Sequence, residues 1–472
     1  MGIFARGEGT RRERATEGCY DEQSPASEAK ASEEHQRRHS TAYSDGLSFF
    51  VPFEEARAEG SGAFAQPLAA RSAIVLGCDP PRGRANSRYV AHRVSLPTFG
   101  ATQKGSADAA RTRARGKLPL LSSHSPSSLE AALVHAGGTT TQAKAAAARV
   151  IRYVFSVDRE VVWDDGALRS NGVGAWAHGA LLALETSPSL SVDASASASD
   201  GTERLVLRTG DGGLLETVII PGPGRTTVCI SSQIGCARAC TFCETGAHGL
   251  ERQLDAGEIV DQVRVARRIW GVRSPAIQNI VFMGMGEPFD NLGEVAKATQ
   301  LLTDGRGIAL SPSRITVSTV GVADKIAAFF DTCRAELAVS LNAPDDARRR
   351  AIMPVNDRFD MATLRKAITE ALPRGRKVLF EYVLIAGFND SVRDADLLAS
   401  WVAGLACRVN VIPVNQGPDP SIRPPSTEVL DAFVARLVEK RIVTLVRRPR
   451  GQDVGGACGQ LAGARRALSP AG

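Results

Sequence analysis

The chain has 472 residues, 43% hydrophobic and 23% charged, which is enough apolar material for a sizeable core and excludes wholesale disorder. Lys and Arg number 57 against 51 Asp and Glu, a net charge of +6 that suits an anionic partner but is too mild to specify one. The opening residues lack the apolar stretch of a signal peptide, and no apolar run reaches the roughly 18 residues of a membrane span, so a cytoplasmic protein without membrane contact is expected.

The length exceeds what one core usually supports and predicts two or three units. Residues 1–125 are rich in Ala, Arg, Ser and Glu without a sustained period, and read as a low-complexity, mostly disordered extension. Residues 126–190 turn helical, most clearly over 145–155 and 174–184, and read as a small helical accessory domain that is a candidate for RNA binding. The Ser/Ala/Asp stretch 187–201 reads as a polar linker, and 200–224 as a β-hairpin turning at Asp211-Gly-Gly213.

From 225 to 463 short apolar runs alternate with helical stretches. Strands are predicted at 227–231, 277–283, 314–319, 336–341, 378–384 and 408–414, with a further one at 442–446, and helices at 256–270, 292–302, 361–371, 391–405 and 427–439. The fold class is therefore α/β, a partial parallel (β/α)6 barrel whose chemistry belongs at the C-terminal ends of the strands.

Four of nine cysteines fall between Cys229 and Cys243, which reads as a metal or redox cluster rather than a disulfide framework. Cys236-Ala-Arg-Ala-Cys240-Thr-Phe-Cys243 can supply three thiolates to a 4Fe-4S cubane, leaving one iron open to a substrate such as S-adenosylmethionine (SAM). His248 keeps a zinc site open as the alternative. Met283-Gly-Met-Gly-Glu-Pro288 follows the second strand, and its Glu287 can accept a hydrogen bond from an ammonium group. Ser318, Ser340-Leu-Asn342 and Asn415 end later strands and together suggest a polar pocket for a ribose, a carboxylate and an adenine edge. Cys458 sits in a Gly-rich loop after Arg447, Arg448 and Arg450, where nearby cations would make its thiol nucleophilic. Cys229, on the first strand, can meet it if that loop folds over the barrel mouth. Cys19, Cys78, Cys333 and Cys407 read as structural.

These motifs, with Cys229-Ile-Ser-Ser-Gln-Ile-Gly-Cys236, Ile315-Thr-Val-Ser-Thr-Val-Gly321, Ser340-Leu-Asn-Ala-Pro344 and Ala457-Cys458-Gly-Gln-Leu-Ala-Gly463, resemble the RlmN/Cfr family of radical SAM RNA methyltransferases over residues 204–463. The resemblance implies a radical SAM enzyme using one 4Fe-4S cluster on Cys236, Cys240 and Cys243, and two SAM per turnover. SAM would be contacted by Gly286, Glu287, Ser318, Ser340, Leu341, Asn342 and Asn415. It further implies that Cys458 is the methyl-carrying cysteine, that Cys229 resolves the protein–RNA adduct by a disulfide with Cys458, and that Glu216 is the proton acceptor. One SAM methylates Cys458; a second gives a 5′-deoxyadenosyl radical that activates the S-methyl group for addition to adenine, an electrophilic amidine carbon that cannot itself attack a sulfonium.

The implied product is 2-methyladenosine in 23S rRNA at the peptidyl-transferase centre, with an anticodon-loop adenosine of tRNA as a second substrate and a flavodoxin- or ferredoxin-class electron donor; a monomer is expected. Carbon 8 methylation, the Cfr type, uses the same two cysteines. A non-methylating radical SAM protein, or an electron-transfer and RNA-binding protein, would need neither. Glu244 and Asn342 depart from the residues usual at their positions, a small residue and a histidine, and RNA contacts are expected partly from 126–190 and from Arg447, Arg448 and Arg450.

Overall fold

Seven parallel strands, most of their residues buried or half-buried, form the scaffold of the site. The structure, a computed structural model, describes residues 125–155, 163–184, 190–415, 417 and 419–461, and the backbone of strands Leu47–Phe50, Lys117–Pro119 and Thr186–Pro188. All of these belong to one unit, 45–472. In chain order the strands are β1 (Leu47–Phe50), β2 (Lys117–Pro119), β3 (Thr186–Pro188), β4 (Ser191–Ser197), β5 (Glu203–Arg208), β6 (Leu214–Gly222), β7 (Arg225–Cys229), β8 (Gln233–Cys236), β9 (Gly249–Gln253), β10 (Ile277–Phe282), β11 (Ile315–Thr319), β12 (Glu336–Ser340), β13 (Val378–Leu384), β14 (Cys407–Pro413) and β15 (Thr444–Arg447).

The large sheet runs β1-β15-β14-β13-β12-β11-β10-β7-β6-β5-β4, an order that does not close on itself. From β7 through β10 to β15 all neighbours are parallel. This is the expected partial barrel, with the expected seventh strand at its end. Amphipathic helices such as Ala256–Trp270, Leu292–Thr303, Met361–Ala371, Val392–Val402 and Thr427–Glu439 cover one face of the parallel run, and the other face lines a cavity. Their starts are set locally: Asp255 with Glu258 and Ser391 with Asp394 form capping boxes. Tyr382 and Phe433, both with no exposed surface, stack at 5.4 Å between β13 and the last of these helices.

The antiparallel side holds a correction. The stretch read as a polar linker contains β4, which pairs with β5 from Ser191↔Arg208 to Ser197↔Glu203. It is exposed or half-buried throughout, as an edge strand is, and its small Ser and Ala side chains carry almost no apolar signal, so only the hydrogen-bonding edge of β5 reveals it. β5 and β6 form the expected hairpin, with Glu203↔Ile219 through Arg208↔Leu214, and β6 joins the parallel run through β7.

Before the sheet, four helices, Pro126–His135, Thr140–Val154, Asp165–Ser170 and Ala175–Leu182, bury Leu129, Leu133, Val150, Leu168 and Leu181. They touch the barrel side through Arg306, which pairs with Glu130 and Asp304. Most of the extension at 1–125 lies outside the described residues. Its two described strands are β1, antiparallel to β15, and β2, antiparallel to β3. Among the described residues no helix is long and apolar enough to cross a membrane.

Candidate active site

The cysteine loop leaves the end of β8, which is paired with β9 through Cys236↔Gly249. Ala239 takes a left-handed backbone, φ 50, and reverses the chain between the first two thiols. Cys243 N closes the loop onto Cys240 O at 3.1 Å, and Thr241 N anchors it to Ile352 O at 3.1 Å. Cys236, Cys240 and Cys243 together line a cavity that opens to solvent. Burial pushes all three thiols up, Cys236 to about 12, so each must lose a proton as it binds iron.

His248, which left a zinc site open, lies 3.5 Å from Glu244 Oε1 on its own turn. Among the described residues no three His, Cys, Asp or Glu groups converge on a single ion. Three thiols lining one cavity that has open space beside them would suit a 4Fe-4S cubane, which takes three protein thiolates and leaves one iron for a substrate.

Much of the rest of the lining is built from strand ends. Gly286, φ +100, stands where a Cβ would come within 2.5 Å of Gln233 Cβ, and Gln233 Oε1 accepts from Glu287 N at 2.7 Å. Only glycine leaves room for this crossing. The Glu287 carboxylate accepts from Val320 N and Phe289 N, each at 2.8 Å; burial nevertheless raises it to about 7. Ser318, Ser340, Asn342 and Asn415 also line the cavity. Asn342 occupies a left-handed position, φ 57, which asparagine tolerates better than most residues. Its side chain is turned to the protein, with Oδ1 accepting from Val383 N at 3.0 Å and Nδ2 3.3 Å from Met353 Sδ. Leu341 is fully buried and outside the cavity lining.

Cys458 lines the same cavity. Asn415 holds its loop, Nδ2 donating to Cys458 O at 2.9 Å while Oδ1 accepts from Gln452 Nε2 at 3.0 Å. The cluster loop holds it too: Glu244 N donates to Gly459 O at 2.7 Å, and Thr245 Oγ1 to Leu461 O at 2.6 Å. On the other flank Asp200 accepts from Arg450 Nε at 2.8 Å and Gly451 N at 3.0 Å, and Ser199 N donates to Asp453. Cys229, buried at the end of β7, is pushed up to about 12 by burial and by the neighbouring Cys458, and both are free thiols.

Glu216 is in a different setting. It has no exposed surface, lies outside the cavity lining, and gives both oxygens to Arg204, Nε at 2.7 Å and Nη2 at 2.8 Å. Arg204 Nη1 continues to Val454 O at 3.0 Å, which ties the hairpin to the Cys458 loop.

Sequence reasoning missed Glu381, a carboxylate inside an otherwise apolar strand. It is 6% exposed and lines the cavity. Oε2 accepts from Ser318 Oγ at 2.9 Å, whereas Oε1 has no hydrogen bond among the described residues and lies 3.8 Å from Arg447 Nη1. A charge interrupting Val-Leu-Phe-Glu-Tyr-Val-Leu was the available signal. Of the three arginines expected to meet RNA, Arg447 turns inward to Met283 Sδ and Glu381, and Arg450 to Asp200 and Pro221 O; Arg448 is exposed.

Comparison with known proteins agrees with this arrangement. Residues 230–398 match the model of the radical SAM superfamily. A probable RNA methyltransferase of Sorangium cellulosum is 63% identical over 369 residues, covering 77% of this chain and 92% of that protein. The dual-specificity RNA methyltransferase RlmN of Geobacter sulfurreducens is 42% identical, covering 60% of this chain and 78% of its own. The crystal structure of a radical SAM methyltransferase from Sphaerobacter thermophilus, 36% identical, superposes with a TM-score of 0.64 over 73% of this chain and 99% of that one. On these grounds the chain belongs to the RlmN/Cfr family of radical SAM RNA methyltransferases and works with a 4Fe-4S cluster and SAM.

Proposed function

We propose that this enzyme methylates carbon 2 of an adenosine in 23S rRNA at the peptidyl-transferase centre, with an anticodon-loop adenosine of tRNA as a second substrate and two SAM consumed per turnover. The observation that carries the reading is the placement of Cys458 in the cavity lined by Cys236, Cys240 and Cys243, close enough to the Cys229 thiol to help raise it electrostatically. The likeness to relatives named dual-specificity RNA methyltransferase RlmN, which spans 78% and 73% of their length, supports the choice of carbon and of RNA.

Bound at the cluster, SAM supplies both a methyl group and a 5′-deoxyadenosyl radical. Gly286 and Glu287 would hold its amino-acid end, with the Glu287 carboxylate as acceptor for its nitrogen. Ser318, Ser340, Asn342 and Asn415 bound the nucleoside end. Glu381 Oε1, lacking a hydrogen bond of its own, is the acceptor a ribose hydroxyl would meet. Cys458 Sγ gives up its proton and takes the first methyl group, and later joins that carbon to adenine. Glu216 would take the proton from the reacting ring carbon once Arg204 releases one of its oxygens, and the unpaired electron of the adduct would return to the one-electron donor chain that reduces the cluster. Cys229 Sγ then attacks Cys458 Sγ: an S–S bond forms, the bond from Cys458 to the product carbon breaks, and that carbon takes a proton. An external reductant restores both thiols.

The test is anaerobic reconstitution, followed by incubation with isotopically labelled SAM and ribosomal or transfer RNA and mass-spectrometric assignment of the labelled position. Label on carbon 2 is expected, and its loss in Cys458→Ala; label on carbon 8 would replace the reading by its sister, and labelled product from Cys458→Ala would overturn the role of that thiol.

A further inference from the structure

Arg349, on the helix Asp346–Ile352, is the largest side chain among the described residues with no exposed surface. Its guanidinium meets only neutral oxygens. Nε donates to Leu341 O at 3.2 Å, Nη1 to Asn356 Oδ1 at 2.8 Å and Phe359 O at 3.4 Å, and Nη2 to Val320 O at 2.6 Å and Ser340 O at 3.4 Å. Among the described residues no carboxylate pairs with it. Asp346 stands one step removed, accepting from Asn356 Nδ2 at 2.9 Å. A cation enclosed by dipoles alone keeps a large part of its desolvation cost, and such a group persists where an anion nearby offsets it. Burial draws this guanidinium down to about 10, opposed by the charge of Cys240 and, after it, that of Asp346.

The backbone fixes this proximity. Ile352 O, at the end of the same helix, accepts from Thr241 N, the residue after Cys240. On the far side Gly321, φ +97, leaves space that any side chain would take, since a Cβ there would stand 2.9 Å from Arg349 Nη2. The guanidinium is thus held behind the cluster loop with no freedom to turn to solvent.

We propose that Arg349 is the fixed counter-charge of the iron–sulfur cluster and raises its reduction potential. The proposal rests on the radical SAM reading of the three cysteines. Three thiolates on a cubane carry net negative charge, which grows by one when a low-potential one-electron donor of the flavodoxin or ferredoxin class reduces the cluster. A buried cation at fixed position stabilises the more negative, reduced form more than the oxidised one. No proton needs to move. Arg349 is a positioning residue in this account, acting on the cluster through space and on neither SAM nor RNA by contact.

The experiment is an anaerobic redox titration of the reconstituted full-length enzyme, with dithionite as reductant and electron paramagnetic resonance as readout, for wild type, Arg349→Gln, Arg349→Met and Arg349→Lys. The uncharged variants should reduce at least tenfold less favourably, a fall of about 59 mV for a one-electron couple, while Arg349→Lys stays near wild type. An uncharged variant with a full cluster and an unchanged midpoint overturns the proposal. If neither uncharged variant takes up a cluster but Arg349→Lys does, at the wild-type midpoint, the charge is what the cluster requires and the proposal stands; failure of all three assigns the residue to folding and overturns it. A wild-type protein that binds no iron would instead refute the family reading itself.

Discussion

Replacing Arg204 by Met should destabilise the enzyme by about 3–5 kcal/mol, the usual cost of removing one member of a buried ion pair. The structure places it at the upper end. Both bonds to Glu216 are short and charge-assisted, the two side chains are 4% and 0% exposed, and a third bond to Val454 O at 3.0 Å, worth roughly 1 kcal/mol, goes with them. Removing both charges is a different perturbation. In Arg204→Met/Glu216→Leu no carboxylate is left to desolvate, and the double variant should be more stable than the single Arg204→Met by about 2–4 kcal/mol. Urea unfolding of the four corners of the cycle measures both quantities. The anchor on Val454 is lost in both variants, so iodoacetamide should alkylate Cys458 faster in each, whatever their stability. A double variant no more stable than Arg204→Met would show that the cost does not come from a stranded carboxylate, and the reasoning would fail.

Burial raises Glu287 to about 7 from its ordinary 4.5, so between those values the folded state holds a proton that the unfolded state has lost. Stability then falls as pH rises through that window, by at most about 1.4 kcal/mol per pH unit; Glu287→Gln should lack this slope, and parallel urea curves at pH 5 and pH 7.5 for both proteins would contradict it. Gly286→Ala forces a Cβ to within 2.5 Å of Gln233 and a side chain into φ +100, so SAM affinity of the reconstituted enzyme should fall roughly tenfold or more by calorimetry, a strain of about 1–3 kcal/mol; unchanged affinity would remove the turn from the SAM site. His178 is raised by hydrogen bonds to Val173 O and Asp165 that only its doubly protonated ring can donate together. Its contribution is full below about pH 6.5 and lost as pH rises through the folded value, so the melting-temperature gap between wild type and His178→Gln should shrink from pH 6 to pH 9, and a constant gap would refute the assignment.

What was legible in the sequence was whatever is encoded over a few neighbouring residues. Strand runs such as Val378–Leu384 announce themselves because a parallel strand is apolar on both faces, and the cysteine spacing is local by nature. What was not legible depends on partners far away in the chain. β4 carries little apolar signal and is a strand only because β5 offers it an edge. Arg447 and Arg450 look like RNA contacts in a basic stretch, yet Glu381 and Asp200 claim them across the fold. Glu216 sits at the expected distance before Cys229, but only Arg204, 12 residues earlier and on the paired strand, tells where its carboxylate points. Arg349 had no motif to mark it, since its meaning lies in being enclosed.

The inward turn of Arg447 and Arg450 also bears on how an RNA would be held near the Cys458 loop. Each arginine that neutralises a phosphate releases a condensed counterion and adds nearly one unit to the slope of log affinity against log salt. Two of the three arginines are engaged by protein groups, so if this loop meets RNA only Arg448 stands unengaged to add to that slope. RNA held there would then be less sensitive to ionic strength, and would lean more on shape and stacking, than the basic sequence suggests.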